Sequence, residues 1–355
     1  MTVRGLARQL VSIPSHDDPT AAESAITEWL QSETDAVVER TEAGVIARRD
    51  GGGRCALVGH HDVVPPADEQ TDDGAYVVSE RGDRLYGRGS ADMKGSLAAA
   101  LCAFRDADSP CTIASFRGEE RGGVGARRAI DAGFAPDYAV VVEGSTGYSA
   151  TGVTDVAIAH KGRRASTIHA HGAAAHASEP ESGTNAVYRA ADAIDVLQEL
   201  SPPESGVLGH DLRGRLCVAE IEGGSAWNVV PDSCTITVDE RTVPGERADI
   251  GRVTEIDGVE WDVEQDLPPM ACDDDAFAQA VLDAATEAQT GTPALVTKPH
   301  ATDAGWLAQA GTTCVVCGAA EPGEAHTDDE SVSLPVLERC YRLYRDLLSQ
   351  IEGGD

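Results

Sequence analysis

Residues 55–66 read CALVGHHDVVPP. A short apolar run breaks off at two histidines and an aspartate, and two prolines close it. A bounded run of this length reads as a buried strand. Pro65 and Pro66 prevent it from continuing. His60 and Asp62 therefore stand at a strand end, where imidazole beside carboxylate suits a metal site or a general base. The triplet by itself is common in surface loops, so its meaning depends on what the rest of the chain brings to the same place.

Composition narrows the choices. A chain of 355 residues is long enough for one large domain or two ordinary ones. No stretch approaches the roughly 20 apolar residues of a membrane span, and MTVRGLARQLVSIPS lacks the apolar core of a signal peptide. The expectation is a soluble, cytoplasmic protein without a membrane partner. With 60 acidic against 28 basic residues, the net charge is −32. The acids are spread along the chain, whereas interaction tails come in blocks. This fits a halophilic surface, since at molar salt the Debye length is about 3 Å and such charge is screened. Nothing resembles a basic stripe, which argues against nucleic acid. The nine cysteines mostly sit in apolar runs. Cys314 and Cys317 form a C-x-x-C with no second pair, so they read as core thiols.

The first segment alternates helical and strand-like patterns. Thr20 to Glu33 places Ile26, Trp29 and Leu30 on one helical face, behind Asp18-Pro19 as cap and first-turn proline. GVIARR, CALVGHH, TIASFRGEE and YAVVVEG read as strands, with the helix GSLAAALCAFRDA between the second and third. This alternation implies an α/β fold with a mostly parallel sheet and flanking helices, its chemistry at the strand ends. From about Val153 the texture becomes that of a small sheet with helices on one face. After EWDVEQDLPPM the α/β texture returns, with helices expected at 275–289 and 335–351; the last buries Leu337, Tyr341, Tyr344 and Leu348. The expected organisation is a catalytic domain over 1–153 and 266–355, interrupted at 154–265 by a smaller α+β domain.

Four further segments carry acids or histidine beside strand ends. RLYGRGSADMKG holds Asp92 in a glycine-rich loop before a helix. SFRGEERGGVG holds Glu119 and Glu120, VVVEGSTG holds Glu143, and GEAHTDDES holds His326. Each has an ordinary explanation as a cap or a solvated loop. Together with His60 and Asp62 they make two imidazoles and three carboxylates, with two further acids left over. That is a ligand set for a pair of divalent ions, zinc first, with cobalt or manganese as substitutes. Glu119 and Asp62 are the carboxylates left over, suited to a base and an orienting acid.

In order and over nearly the whole chain, these motifs resemble the dizinc amidohydrolase and peptidase family that includes acetylornithine deacetylase, succinyl-diaminopimelate desuccinylase and carboxypeptidase G. G-H-x-D-x-V-P is Gly59 to Pro65, and G-R-G-x-x-D-M-K-G is Gly87 to Gly95. E-E-x-G-x-x-G is Glu119 to Gly125, E-G begins at Glu143, and A-H-x-x-x-E is Ala325 to Glu330. The resemblance implies that His60, Asp92 and Glu143 hold one zinc and that Asp92, Glu120 and His326 hold the other. It makes Asp62 the orienter of His60 and Glu119 the general base, and it implies a cis peptide between Asp92 and Met93. His61 receives no role. GAAAHASEPESGTNAV resembles the family's lid, which makes the inserted domain a ferredoxin-like lid and dimerisation domain. Its His176 then polarises the scissile carbonyl of a neighbouring subunit in a homodimer. Asn228 and Arg241 fall at substrate-binding positions, where an arginine fork suits a carboxylate.

The implied reaction is metal-dependent hydrolysis of an N-acyl amino acid's amide, in arginine or lysine biosynthesis. Glutamate at position 143 goes in this family with deacylases and carboxypeptidases. A dipeptidase or carboxypeptidase acting on short peptides is the alternative, and a homologue that binds without catalysis is the remaining one. Lys161, Arg163 and Arg164 could meet a succinyl carboxylate or form lid surface; Lys298, His300 and Asp303 are left without roles.

Overall fold

The computed structural model describes residues 1–351; the last four positions of the expected 266–355 segment lie outside them. The described chain forms two compact units. One comprises Met1–His160, Met270–Lys298 and the residues from Thr302 onward, and the other Lys161–Pro269 with Pro299–Ala301.

The first unit is built on a nine-stranded sheet. Cys55–His60 lies within it with all six residues buried. Its neighbours Cys111–Phe116 and Tyr138–Val141 both run parallel to it. Thr313–Val316 adds a fourth parallel strand beside Tyr138–Val141. Antiparallel strands Gly44–Arg49 and Val37–Thr41 extend one side. Val156–His160 extends the other, pairing antiparallel with Met270–Ala271 and parallel with Leu295–Lys298. Helices cover the parallel centre, which is why its strands are apolar runs without alternation.

The helix Gly95–Asp106 is buried from Gly95 through Phe104, as a helix apolar on every side must be. The last helix, Leu334–Ile351, buries Leu337, Cys340, Tyr344, Leu347 and Leu348. Tyr341 falls at the margin of that stripe instead of inside it, and its hydroxyl donates to Asp106 at 2.9 Å. The helix Asp275–Glu287 stops short of Gln289. That side chain is engaged elsewhere, accepting from the Thr154 amide and donating to the Thr154 carbonyl. Cys314 and Cys317 are fully buried. No helix of the described residues is long and apolar enough to cross a membrane.

The second unit is a four-stranded antiparallel sheet in the spatial order Arg215–Gly223, Ser233–Arg241, Arg163–His171, Val259–Leu267. The helix Ala186–Glu199, capped by Asn185, and the 3-10 turn Ile250–Glu255 pack on one face. In chain order this is strand, helix, two strands, helical turn, strand, the split βαβ arrangement of ferredoxin-like domains. One buried and one half-buried face give Arg163–His171 its strict alternation.

Candidate metal centre

The site is assembled from loops beyond the C-terminal ends of the parallel strands, where an open α/β sheet places its ligands. His60 ends its strand. Glu119 and Glu120 follow Phe116, Glu143 follows Val141, and His326 lies in the loop after Thr313–Val316. Asp92 comes from the loop before the Gly95 helix, and its peptide bond to Met93 is cis.

His60 Nε2 lies 3.0 Å from Asp92 Oδ1 and 3.0 Å from Glu143 Oε1. His326 Nε2 lies 3.1 Å from Asp92 Oδ2 and 3.0 Å from Glu120 Oε1. Asp92 thus gives one oxygen to each histidine. Two clusters result, His60–Asp92–Glu143 and Asp92–Glu120–His326, sharing one carboxylate. Glu119 belongs to a third group with His60 and Glu120.

The electrostatics are those of an acid-rich site short of positive charge. Burial alone would lower the His60 imidazole, yet hydrogen bonds to Asp92 and Glu143 hold it well above its ordinary value. His326 is pushed up to about 10 by its bonds to Asp92 and Glu120. Burial would raise Asp92, but His326 and His60 outweigh it and hold that carboxylate far below the usual range. Glu119 moves the other way. Burial drives it well above the usual carboxylate range, and although His60 opposes the rise, Asp303, Glu143 and Glu120 add to it.

These residues fit a pair of divalent ions. Donors about 2.0–2.2 Å from one ion must themselves lie roughly 3 Å apart, the spacing found in both clusters. The raised histidines mark where positive charge is most favourable. Imidazole nitrogen with carboxylate oxygen suits zinc, cobalt or manganese.

Two acids around the ligands act differently from their sequence reading, or had none. His60 Nδ1 bonds the backbone carbonyl of Asp62 at 2.9 Å, while the Asp62 carboxylate stands 3.6 Å away. That carboxylate instead accepts from the amides of Glu119 and Glu120, both at 3.2 Å. Asp62 therefore fixes the histidine through its main chain and the acid pair through its side chain. Glu330, the last letter of the A-H-x-x-x-E motif, accepts from Arg88 at 2.7 Å and from the amides of Gly89, Ala91 and Asp92 at 2.9–3.1 Å. It ties the His326 loop to the Asp92 loop. The signal was present as an acid four residues after a ligand, but its partners lie some 240 positions away.

Lys298 and Asp303, to which the sequence assigns no role, border the centre. Lys298 ends its strand buried, donates to the Gly144 carbonyl, and lies within electrostatic reach of Glu143, Asp92 and Glu119. Asp303 is buried at the start of its helix.

In the second unit, His176 is exposed. The Ser178 amide donates to its Nδ1 at 3.2 Å, so the neutral ring carries its hydrogen on Nε2 and can donate from there. Asn228 is exposed beside it, its backbone carbonyl accepting from the Ala177 amide at 2.9 Å. Arg241 is half-buried and donates from Nε to Asp239 at 2.7 Å. Arg164 turns inward, pairing with Glu240 at 2.6 Å and donating to the Ala248 carbonyl. It is part of the packing, not a carboxylate receptor.

The family model for Peptidase family M20/M25/M40 matches residues 56–350. The chain belongs to this family. Among its M20 relatives, an acetylornithine deacetylase of Myxococcus xanthus is 29% identical over 344 residues, covering 90% of this chain and 86% of that protein. One from Klebsiella pneumoniae is 33% identical over 208 residues, 55% of this chain and 52% of the relative. Among solved structures, an aminopeptidase of Bacillus cereus superposes with a TM-score of 0.80 at 20% identity, covering 98% of this chain and 97% of the other. A dinuclear metal binding M20 peptidase of Bacillus subtilis gives 0.70 at 14% identity, covering 99% and 97%. The fold is thus that of M20 peptidases, and the chain is a hydrolase of that metal-binding family.

Proposed function

We propose that this M20 hydrolase cleaves the amide of an N-acyl amino acid, with His60, Asp92 and Glu143 holding one divalent ion and Asp92, Glu120 and His326 the other. The observation carrying the reading is the pair of clusters joined through Asp92, with Glu119 beside them and outside the shared bridge. The similarity to acetylornithine deacetylase over 90% of the chain supports an acyl amino acid over a peptide.

When bound, the ions supply Lewis-acid polarisation and acidify a water. Glu119 accepts a proton from the attacking water and later gives it to the departing amine. Its burial keeps its proton affinity above that of an ordinary carboxylate, as a group that both takes and returns a proton requires. Asp62 holds the Glu119 amide, so the base is aimed by a side chain that also fixes its neighbour Glu120. His176 donates from Nε2 to the oxyanion, across a homodimer, while Asn228 and Arg241 meet the substrate. Co-expressing Glu119→Gln with His176→Ala in equal amounts tests that arrangement: about half the dimers are mixed and each keeps one sound site, so the population should recover roughly a quarter of wild-type activity, and mixed dimers without recovery remove His176 from the partner's site.

The test of the reaction is a panel of acetyl, succinyl and glutamyl amino acids beside di- and tripeptides, assayed with zinc, cobalt or manganese in molar salt. The reading expects the acyl amino acids to have the higher kcat/KM. Peptides cleaved faster would replace it with a dipeptidase or carboxypeptidase.

A further inference from the structure

Asp303 holds a carboxylate that nothing in the site so far uses. It is 2% exposed, and neither oxygen has a hydrogen-bond partner among the described residues. A buried, unpaired carboxylate is costly, and such groups are kept where a counter-charge arrives from elsewhere. Its backbone is firmly placed: Thr302 caps the helix, accepting from the Ala304 amide at 3.2 Å, and its hydroxyl bonds His160 at 3.1 Å. With Thr302 as the cap, the Asp303 carboxylate makes no hydrogen bond within its own helix.

The carboxylate faces the loop that carries the acids of the centre. Oδ1 comes within 2.9 Å of where a Cβ on Gly123 would stand, and the Trp306 indole occupies the same space. That approach is open only because Gly123, at φ 71°, has no side chain. Glu119 feels the charge of Asp303, which in turn feels His60, Asp62, Glu143 and Glu120. Buried Lys298 has its own neighbours in Glu143, Asp92 and Glu119.

A third metal ion is a poor match. Asp303 belongs to none of the three groups of described residues able to hold an ion, and one carboxylate offers too few donors. An organic ammonium needs a single anionic partner. We propose that Asp303 is the specificity group that pairs with an ammonium on the substrate, so that the enzyme selects acyl amino acids bearing a positive charge. This rests on the deacylase reading above.

The test compares kcat/KM of the metal-loaded full chain for N-acetyl-L-ornithine and N-acetyl-L-norvaline, which differ only by the ammonium. Wild type should favour the charged substrate by at least about 30-fold. In Asp303→Asn that ratio should fall to within about threefold of one, mostly through KM, and Asp303→Glu should restore part of it. A wild-type ratio near one, or an unchanged ratio in Asp303→Asn, overturns the proposal. Calorimetric binding of L-ornithine and L-norvaline needs no turnover and separates the two readings. If wild type hydrolyses neither acyl compound yet binds ornithine over norvaline through Asp303, the reaction is wrong and the cation site stands. If both acyl compounds are hydrolysed alike and the two amino acids bind alike, or neither binds, the cation site is wrong.

Discussion

His60 and His61 are adjacent in sequence, both buried, and both beside carboxylates, yet the two regions they enter behave in opposite ways. Successive side chains at a strand end point to opposite sides. His60 enters a cluster where Asp92 and Glu143 share its Nε2 and further acids stand near, and its pKa is driven well above normal. His61 bonds the Ser115 hydroxyl at 2.8 Å and Glu23 at 3.3 Å. Glu23 is also served by Arg117 at 2.6 Å and Arg40 at 3.1 Å. Burial there wins over the Glu23 contact, and the His61 pKa falls. The difference lies in charge balance. The His61 network neutralises itself with side chains of the chain, as a structural cluster must. The His60 cluster holds more acids than the histidines and Lys298 can balance, which is costly unless ions complete it.

The largest effect separating the two regions should come from the base. Glu119→Gln is expected to lower turnover about 10²–10⁴-fold while both metals stay bound; activity within a few-fold of wild type would remove Glu119 from the chemistry. Next, His60→Ala should lose an ion and most activity, whereas His61→Phe should keep both ions and lose stability by about 1–3 kcal/mol. Loss of metal from His61→Phe, measured on folded protein, would break the comparison.

Glu23 sharpens it on the side of stability. Burial would raise this carboxylate, but His61 and Arg117 outweigh it and set it at about 2. A depressed folded pKa contributes stability above the unfolded value near 4.5, lost as pH falls from there toward about 2. Glu23→Gln should therefore cost roughly 2–3 kcal/mol at neutral pH and flatten acid unfolding in that window, as followed by circular dichroism. The smallest effect is expected from Ser115→Ala, which removes one hydrogen bond to His61 and should cost about 1 kcal/mol with activity kept.

How much of this was legible follows the same division. The strand ending at His60 announced itself through a local pattern, apolar run then prolines, and the ligand motifs were readable because each lies beside an element end. The mostly parallel α/β sheet was readable from the alternation of strands and helices. What the sequence hid are bonds between distant positions. Glu23 meets Arg117 across 94 residues and Glu330 meets Arg88 across 242, and no local period records either. Arg164 looked like a surface cation because its buried partner Glu240 lies on a neighbouring strand. Tyr341 fitted the helical period but stood one position off the stripe that Cys340 and Tyr344 occupy. Asp303 had no signal at all, since what singles it out is the lack of a partner.

The central claim is that the acids around His60 and His326 form a centre for two ions. It is tested most directly by equilibrating purified protein with excess zinc, removing unbound metal by gel filtration, and measuring metal per chain by elemental analysis. The account predicts two equivalents, falling to about one in His326→Ala. No bound metal in the folded wild type would contradict it.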